Sequence, residues 1–207
     1  MLVLRLFVLS MLCVAGLRAA DLERIKYNHP GLKVDLGVGL WAWPMPVDWD
    51  GDGDLDLVVD CPCKPYNGIW FFENPGGSKT PVFKVGKRLR GSLRNIQVSW
   101  VDGKPRFLVT GKEVSAGLKT HTRIFPSDRV EQHRKIRANQ WKYVDYNDDG
   151  ALDLIAAVGI WDDYGWDNAY NAKGEWTNGP LHGYVYLMRN KGTTAKPEYA
   201  APAKVQA

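Results

Sequence analysis

The sequence predicts an all-β protein assembled from β-propeller blades of about 48 residues each, three of them legible. Two observations predict it. First, an Asp-rich phrase occurs twice, as Val47-Asp-Trp-Asp-Gly-Asp-Gly-Asp-Leu-Asp-Leu-Val-Val59 and as Val144-Asp-Tyr-Asn-Asp-Asp-Gly-Ala-Leu-Asp-Leu-Ile-Ala156, with Asp48 and Asp145 97 residues apart. That separation is about twice a unit of 48 residues. A degenerate copy lies midway, at Val98-Ser-Trp-Val-Asp-Gly-Lys-Pro-Arg-Phe-Leu-Val-Thr110, without the acidic loop. Second, the text after each phrase repeats. Ile69-Trp-Phe-Phe-Glu-Asn-Pro-Gly-Gly77 and Pro81-Val-Phe83 follow the first copy, and Tyr184-Val-Tyr-Leu-Met-Arg-Asn-Lys-Gly192 and Pro197-Glu-Tyr199 follow the last. Short β-rich runs bounded by Gly, Pro, Asn and Asp are strand and turn signals.

In chain order, Met1–Ala20 has one early cation (Arg5), an apolar run from Leu6 to Leu17 and a small-residue end. This is the architecture of a signal peptide, with an uncleaved anchor as the alternative. Residues 21–207 then form one propeller segment in three units, about 33–92, 93–138 and 139–203. The middle unit places Thr122-Arg-Ile-Phe125 where the others have their aromatic strand. No window shows convincing helical periodicity; Arg129–Ala138 comes nearest and reads as loop or strand. Propellers typically close with about four to eight blades, so three suggest a partial ring completed by missing blades or by a partner chain.

Composition excludes several classes. Of 27 Lys and Arg, the leader holds Arg5 and Arg18, leaving 25 against 23 Asp and Glu, with no basic cluster suited to nucleic acid. No second apolar stretch approaches membrane length, so the chain beyond the leader is expected to be exported: secreted, periplasmic or held at the cell surface. Cys61 and Cys63, one residue apart, read as a local disulfide or an inert pair, and two thiols are too few to claim zinc.

The acidic phrases carry the chemistry. Asp48, Asp50, Asp52 and Asp56 stand at loop positions 1, 3, 5 and 9, with Gly53 at position 6. Asp145, Asn147, Asp149 and Asp153 match them, with Gly150 at position 6. Alternation in a tight turn can aim the odd-numbered side chains at one centre, and the position-7 carbonyls of Asp54 and Ala151 add a further oxygen. Hard oxygen ligands in this number suit Ca²⁺, which predicts two calcium sites, the second weaker because an amide replaces a carboxylate. An EF-hand is excluded, because position 12 is Val59 or Ala156 rather than an acid and strands follow instead of a helix.

Asp-x-Asp-x-Asp-Gly-x-x-Asp-Leu followed by Trp70-Phe-Phe-Glu-Asn-Pro-Gly and Pro-x-Phe resembles the FG-GAP/VCBS repeat family. The resemblance covers the first and third units well and the second poorly. It implies calcium-binding blades of integrin-α-like β-propellers in exported proteins. It implies no single activity, since the family spans adhesins, secreted binding proteins and scaffolds of polysaccharide lyases.

A ligand is expected on the face opposite the acidic loops, where Asp60–Gly68, Gly111–His121 and Gly159–Gly183 lie. The last is long and aromatic, and long loops in compact domains are usually functional. Trp161, Tyr164, Trp166, Asp167, Tyr170 and Trp176 read as a sugar-binding surface or, with equal claim, as a small core folded over that face. His182 and Tyr184, with His121 and Lys119 nearby, are the weak acid/base candidates, and no catalytic residue is assigned. The expected function is a secreted calcium-binding module for binding or adhesion, with a glycan or an extracellular protein as partner. The alternative is part of a polysaccharide lyase or glycoside hydrolase with its site on the 159–183 face.

Overall fold

The architecture follows from where the chain can bury both faces of a sheet. The computed structural model describes residues 26–27, 41–76, 81–130, 135–162, 167–180 and 182–206. The leader read at 1–20 therefore lies outside the described residues, as do Tyr164, Trp166 and the side chain of Asp167.

Fourteen strands occur among the described residues: β1 Lys26–Tyr27, β2 Trp43–Val47, β3 Asp56–Cys61, β4 Gly68–Phe72, β5 Val82–Phe83, β6 Lys87–Arg90, β7 Gln97–Val101, β8 Lys104–Val109, β9 Lys112–Val114, β10 His121–Arg123, β11 Ile136–Val144, β12 Asp153–Ile160, β13 Gly183–Met188 and β14 Ala203–Lys204. They form three four-stranded antiparallel sheets, β2-β3-β4-β6, β7-β8-β9-β10 and β11-β12-β13-β14, and a small parallel pair, β1-β5. No strand of one large sheet is hydrogen-bonded into another among the described residues, so the sheets do not close into a barrel.

The first strand shows how sequence dictates position. In Trp43-Pro-Met-Pro-Val47 the odd residues are buried and both prolines are exposed. Proline cannot donate to a ladder, and β2 pairs on one side only, with β3. The two prolines also blunt an edge that would otherwise recruit another strand. In the middle unit, Asp102 (φ 50°) and Gly103 (φ 71°) make the two-residue turn between β7 and β8. Positive φ at both positions matches a type I′ turn, whose twist suits a hairpin. A tight turn thus stands where the outer units carry their acidic loops.

The sheets pack in chain order. One core lies between the first and second: Met45, Val58, Ile69 and Phe71 meet Ile96, Val98, Phe107 and Val109. Another lies between the second and third: Leu108 and Phe125 meet Trp141, Leu154, Ala156 and Met188. Alternation along β8 sends Phe107 and Val109 to one core and Leu108 to the other, so the middle sheet joins its neighbours. The first strands of successive sheets pack together, β2 on β7 and β7 on β11. A third cluster, Val59, Phe72 and Phe83, covers the outer face of the first sheet.

The middle sheet departs from expectation, and two readings left open, the Cys61–Cys63 pair and the 129–138 stretch, are narrowed. The third strand of the middle sheet is Lys112–Val114, and Thr122 lies in the edge strand β10; the apolar look of Thr122–Phe125 reflects Phe125, buried against Trp141 beyond that strand. The interval Gly111–His121 is accordingly not one connection, because it contains β9. Cys61 and Cys63 are free thiols, with Cys61 Sγ 3.7 Å from the Cys63 carbonyl oxygen, so no local disulfide forms. The stretch 129–138 holds the end of a 3-10 turn (Ser127–Arg129) and the start of β11. Among the described residues no helix is long and apolar enough to cross a membrane.

Candidate metal centre and the opposite face

Both acidic loops connect the first and second strands of their sheets, and both fold the same way. Position 4 is left-handed in each (Gly51 φ 85°, Asp148 φ 57°), and so is position 6 (Gly53 φ 95°, Gly150 φ 82°). Glycine at position 6 accommodates that conformation without steric cost. The hydrogen bonds match as well. Asp48 Oδ2 accepts from Gly53 N at 3.1 Å, and Asp145 Oδ2 from Gly150 N at 2.8 Å. Asp52 Oδ1 accepts from Asp54 N at 2.9 Å, and Asp149 Oδ1 from Ala151 N at 2.8 Å. These bonds curl each loop; among the described residues they gather Asp48, Asp50 and Asp56 into one group, which includes neither Asp52 nor any residue of the second loop.

Position 9 is the anchor. Asp56 is buried at 1 % exposure and Asp153 at 0 %. Asp56 accepts from Trp49 N (2.9 Å) and Asn74 N (2.8 Å), while Asp153 accepts from Tyr146 N (3.2 Å) and Asn190 N (2.7 Å). Asn74 and Asn190, both buried, follow the third strand and tie it to the loop. Asn74 Nδ2 donates to Leu55 O (3.1 Å) and its Oδ1 accepts from Gly76 N (3.0 Å); Asn190 Oδ1 accepts from Gly192 N (3.0 Å) and Glu198 N (2.9 Å). These two asparagines are site residues that loop spacing does not reveal. Their signal is the aligned Glu-Asn-Pro-Gly and Arg-Asn-Lys-Gly.

The two loops differ in what faces them. Asp48, Asp50 and Asp56 each offer an oxygen within 4.8 Å of the others. Oxygens on one Ca²⁺ at about 2.3–2.6 Å can be separated by up to twice that distance, so this donor set fits calcium in chemistry and spacing. Burial pushes the Asp56 carboxyl above the usual carboxylate range, opposed by the Asn74 and Trp49 amides and reinforced by Asp50 and Asp52. In the third sheet the residue before the asparagine is Arg189. Its Nε lies 3.3 Å from Asp153 Oδ2 and its Nη2 3.8 Å from Asp149 Oδ2. Asn147 donates its Nδ2 to Asp149 Oδ2 at 2.6 Å, and together with Ala151 N and Arg189 this holds the Asp149 carboxyl below its ordinary value. At the equivalent place in the first sheet stands Glu73, paired with Lys84 and Lys87.

At the opposite end of the sheets, the 159–183 stretch is partly a hairpin packed on itself. Tyr170 and Trp176 form an isolated bridge with rings edge-on at 5.4 Å, and Trp176 Nε1 donates to Gly179 O at 2.9 Å. Asn171 Oδ1 accepts from Lys173 N and Glu175 N, closing the turn. The Arg137 guanidinium lies 3.5 Å from the Trp161 ring centroid. His182 and Tyr184 stack at 5.9 Å, and Lys204 Nζ sits 3.1 Å from the Tyr184 centroid. His121 lies on the exposed edge strand β10.

The same end carries a pocket of about 330 Å³ where the three sheets meet. Its walls are Trp41 and Trp43 at the start of β2, Pro62 and Cys63 after β3, Arg94 and Asn95 before β7, and Ile136 and Arg137 at the start of β11. Buried Asp60 supports it: its Oδ2 accepts from Leu93 N at 3.2 Å, fastening the 92–95 turn to the end of β3. Comparison with protein-family models, with curated proteins and with solved structures returns no match, so the chain is described by its own geometry.

Proposed function

We propose that this chain is a calcium-stabilised segment of an FG-GAP/VCBS-like β-propeller, exported from the cell, that acts as a glycan-binding module. The observation that carries the reading is the matched pair of acidic loops. Each occupies the same turn of its sheet, with the same left-handed positions, the same backbone amides on carboxylates and the same buried Asp–Asn anchor. The packing of β2, β7 and β11, the first strands of successive sheets, supports blades arranged about an axis. Asp48, Asp50, Asp52 and Asp56, with the Asp54 carbonyl, would hold the tighter ion. Asp145, Asn147, Asp149 and Asp153, with the Ala151 carbonyl, would hold the weaker one. The ion's contribution is structural: it neutralises carboxylates that otherwise repel and fixes the strand connection.

Thermal unfolding with Ca²⁺ and with chelator tests the metal half. A cation at a hundred times its dissociation constant stabilises by about 2.7 kcal/mol, and at roughly 2–4 °C per kcal/mol for a chain of this size the melting temperature should rise by about 5–10 °C. Asp50 is exposed and is not an anchor. Asp50→Asn, which gives the first loop the Asn that the second has at position 3, should therefore shrink the rise without lowering the melting temperature in chelator. A folded chain that melts identically with and without Ca²⁺ refutes the metal assignment. A glycan array probed with the Ca²⁺-loaded protein tests the binding half, and uniform absence of signal refutes it.

A further inference from the structure

We propose that the pocket where the three sheets meet is a subsite for a carboxylate-bearing sugar ring, with the Arg137 guanidinium, set between Trp41 and Trp161, as its anion anchor. The proposal deepens the glycan-binding reading and rests on it, but its residues are largely different from those expected on the 159–183 loop.

Position comes first. The pocket lies at the end of the sheets opposite the acidic loops, and every wall residue is at the start of a first strand or just beyond the end of a second. All three sheets contribute, so the site exists only once they are packed. Its volume of about 330 Å³ lies near the lower bound of small-ligand pockets, roughly 300–1,000 Å³.

Chemistry narrows the ligand. Among the described residues none that lines the pocket is acidic, and two are arginines. The Arg137 guanidinium is 4.1 Å from the Trp41 ring centroid and 3.5 Å from that of Trp161, and the residue stays exposed. Stacking fixes the plane of the guanidinium while its edge N–H donors remain available, the arrangement that favours a planar, bidentate anion such as carboxylate. Trp41, half-buried and set 6.0 Å from the ring of buried Trp43, adds aromatic surface on which the C–H face of a sugar can lie.

Two further features mark the wall as a built site. Arg94 (φ 52°) and Asn95 (φ 54°) are consecutive non-glycine residues in the left-handed region. Such strain costs about 1–3 kcal/mol per residue, tends to cluster at ligand sites, and needs surrounding structure to hold it, here the Asp60 bond to Leu93 N. Asn95 Oδ1 is shielded from solvent and has no hydrogen-bond partner among the described residues. A buried acceptor left unmatched is costly, and a sugar hydroxyl would engage it only with a turn of the Asn95 side chain toward the pocket.

The test uses the Ca²⁺-loaded full chain and two probes that differ only at C6, methyl β-glucuronide and methyl β-glucoside. Titrations follow the indole N–H resonances of Trp41 and Trp161, assigned by Trp41→Phe and Trp161→Phe. The glucuronide should shift both resonances saturably and bind at least about tenfold more tightly than the glucoside, as a charge-assisted bond requires. Arg137→Gln should weaken the glucuronide by about tenfold to a hundredfold and leave the glucoside unchanged; Arg137→Lys should fall between, with its charge kept and its plane lost. Because Arg137 is exposed, both variants should melt with the wild type, and melting curves check this directly. Equal shifts from both probes would overturn carboxylate recognition while leaving the glycan reading intact. Shifts at neither indole in the folded chain would overturn the pocket assignment, whereas the glycan reading itself stands or falls on the array.

Discussion

Arg189 shows how one side chain can divide two sites that otherwise share a backbone. In the third sheet its guanidinium stands beside Asp149 and Asp153, the carboxylates at positions 5 and 9. The first sheet puts Glu73 in that place, and Glu73 is turned to Lys84 and Lys87. A cation entering the second loop must displace or tolerate a positive charge ion-paired to two of its carboxylates, whereas the first loop feels Lys84, which acts on Asp50 and Asp52 but is ion-paired to Glu73. Arg189→Gln should therefore raise the affinity of the second loop for Ca²⁺ by about tenfold, as roughly 1.4 kcal/mol of removed repulsion would give. Isothermal titration against the wild type measures it, and an unchanged second affinity would show that Arg189 does not compete with the ion. A residue-scale effect of the opposite kind is expected at Asp60. Burial raises its carboxyl above the ordinary value of 3.8, against the pull of Ser92, Leu93, Arg94 and Arg90. The folded chain thus holds this proton more tightly than the unfolded chain does. The associated stability is present below the ordinary value and is lost as pH rises through the raised one. Asp60→Asn cannot ionise, so its urea midpoint should gain on that of the wild type from about pH 4 toward neutrality. A constant difference across that range would show that Asp60 titrates as an ordinary carboxylate.

Among the elements, what could be read from the sequence depended on whether a strand announced itself. The strands around the acidic loops were legible because two apolar runs, Leu57–Val59 and Leu154–Val158, follow the same acids, although their burial differs: Leu57 is half-buried where Leu154 is buried, and Val58 buried where Ile155 is half-buried. The buried asparagines after β4 and β13 were visible as repeated text but not as anchors, because only the fold brings Asn74 N to Asp56 and Asn190 N to Asp153. Strand β9 was misplaced for a physical reason. Lys112-Glu-Val114 has three residues and only Val114 buried, while Thr122–Phe125 nearby is more apolar and ends in a core residue. The pocket was illegible for another reason: Trp41, Arg94 and Arg137 are spaced at about one unit each, and arginines at such intervals look like solvated surface until the sheets are stacked. The anchors also make an element-scale prediction. Asn74 joins the end of β4 to the loop before β3 through side-chain bonds to Leu55 O and from Gly76 N. Asn74→Ala leaves both groups without these bonds and should cost about 1–3 kcal/mol in urea unfolding. A loss below 0.5 kcal/mol, the scale of an ordinary surface change, would show that Asp56 alone holds the connection.

For the whole molecule, the middle sheet decides how far a local defect travels. It contributes Phe107 and Val109 to one core and Leu108 to the other, while among the described residues no strand of the first sheet is paired with one of the third, which meets it at the Arg137–Trp41 contact. In such nearest-neighbour arrangements stability is close to a sum of unit and interface contributions, so damage to one interface need not reach a unit beyond it. Trp141 is the sharpest probe. It is fully buried between the second and third sheets, packs 6.0 Å from Phe125 and donates Nε1 to Asn139 Oδ1 at 2.6 Å. Trp141→Ala should cost about 3–5 kcal/mol, and the loss should be uneven. Amide exchange should accelerate most in β11, β12 and β13 and in the β8 amides facing them, while β3 and β4 keep nearly all their protection. Uniform acceleration across the three sheets would show a single cooperative unit. The sheets would then be less like successive blades and more like one fused core, and the pocket at their meeting point would be expected to open only on global unfolding.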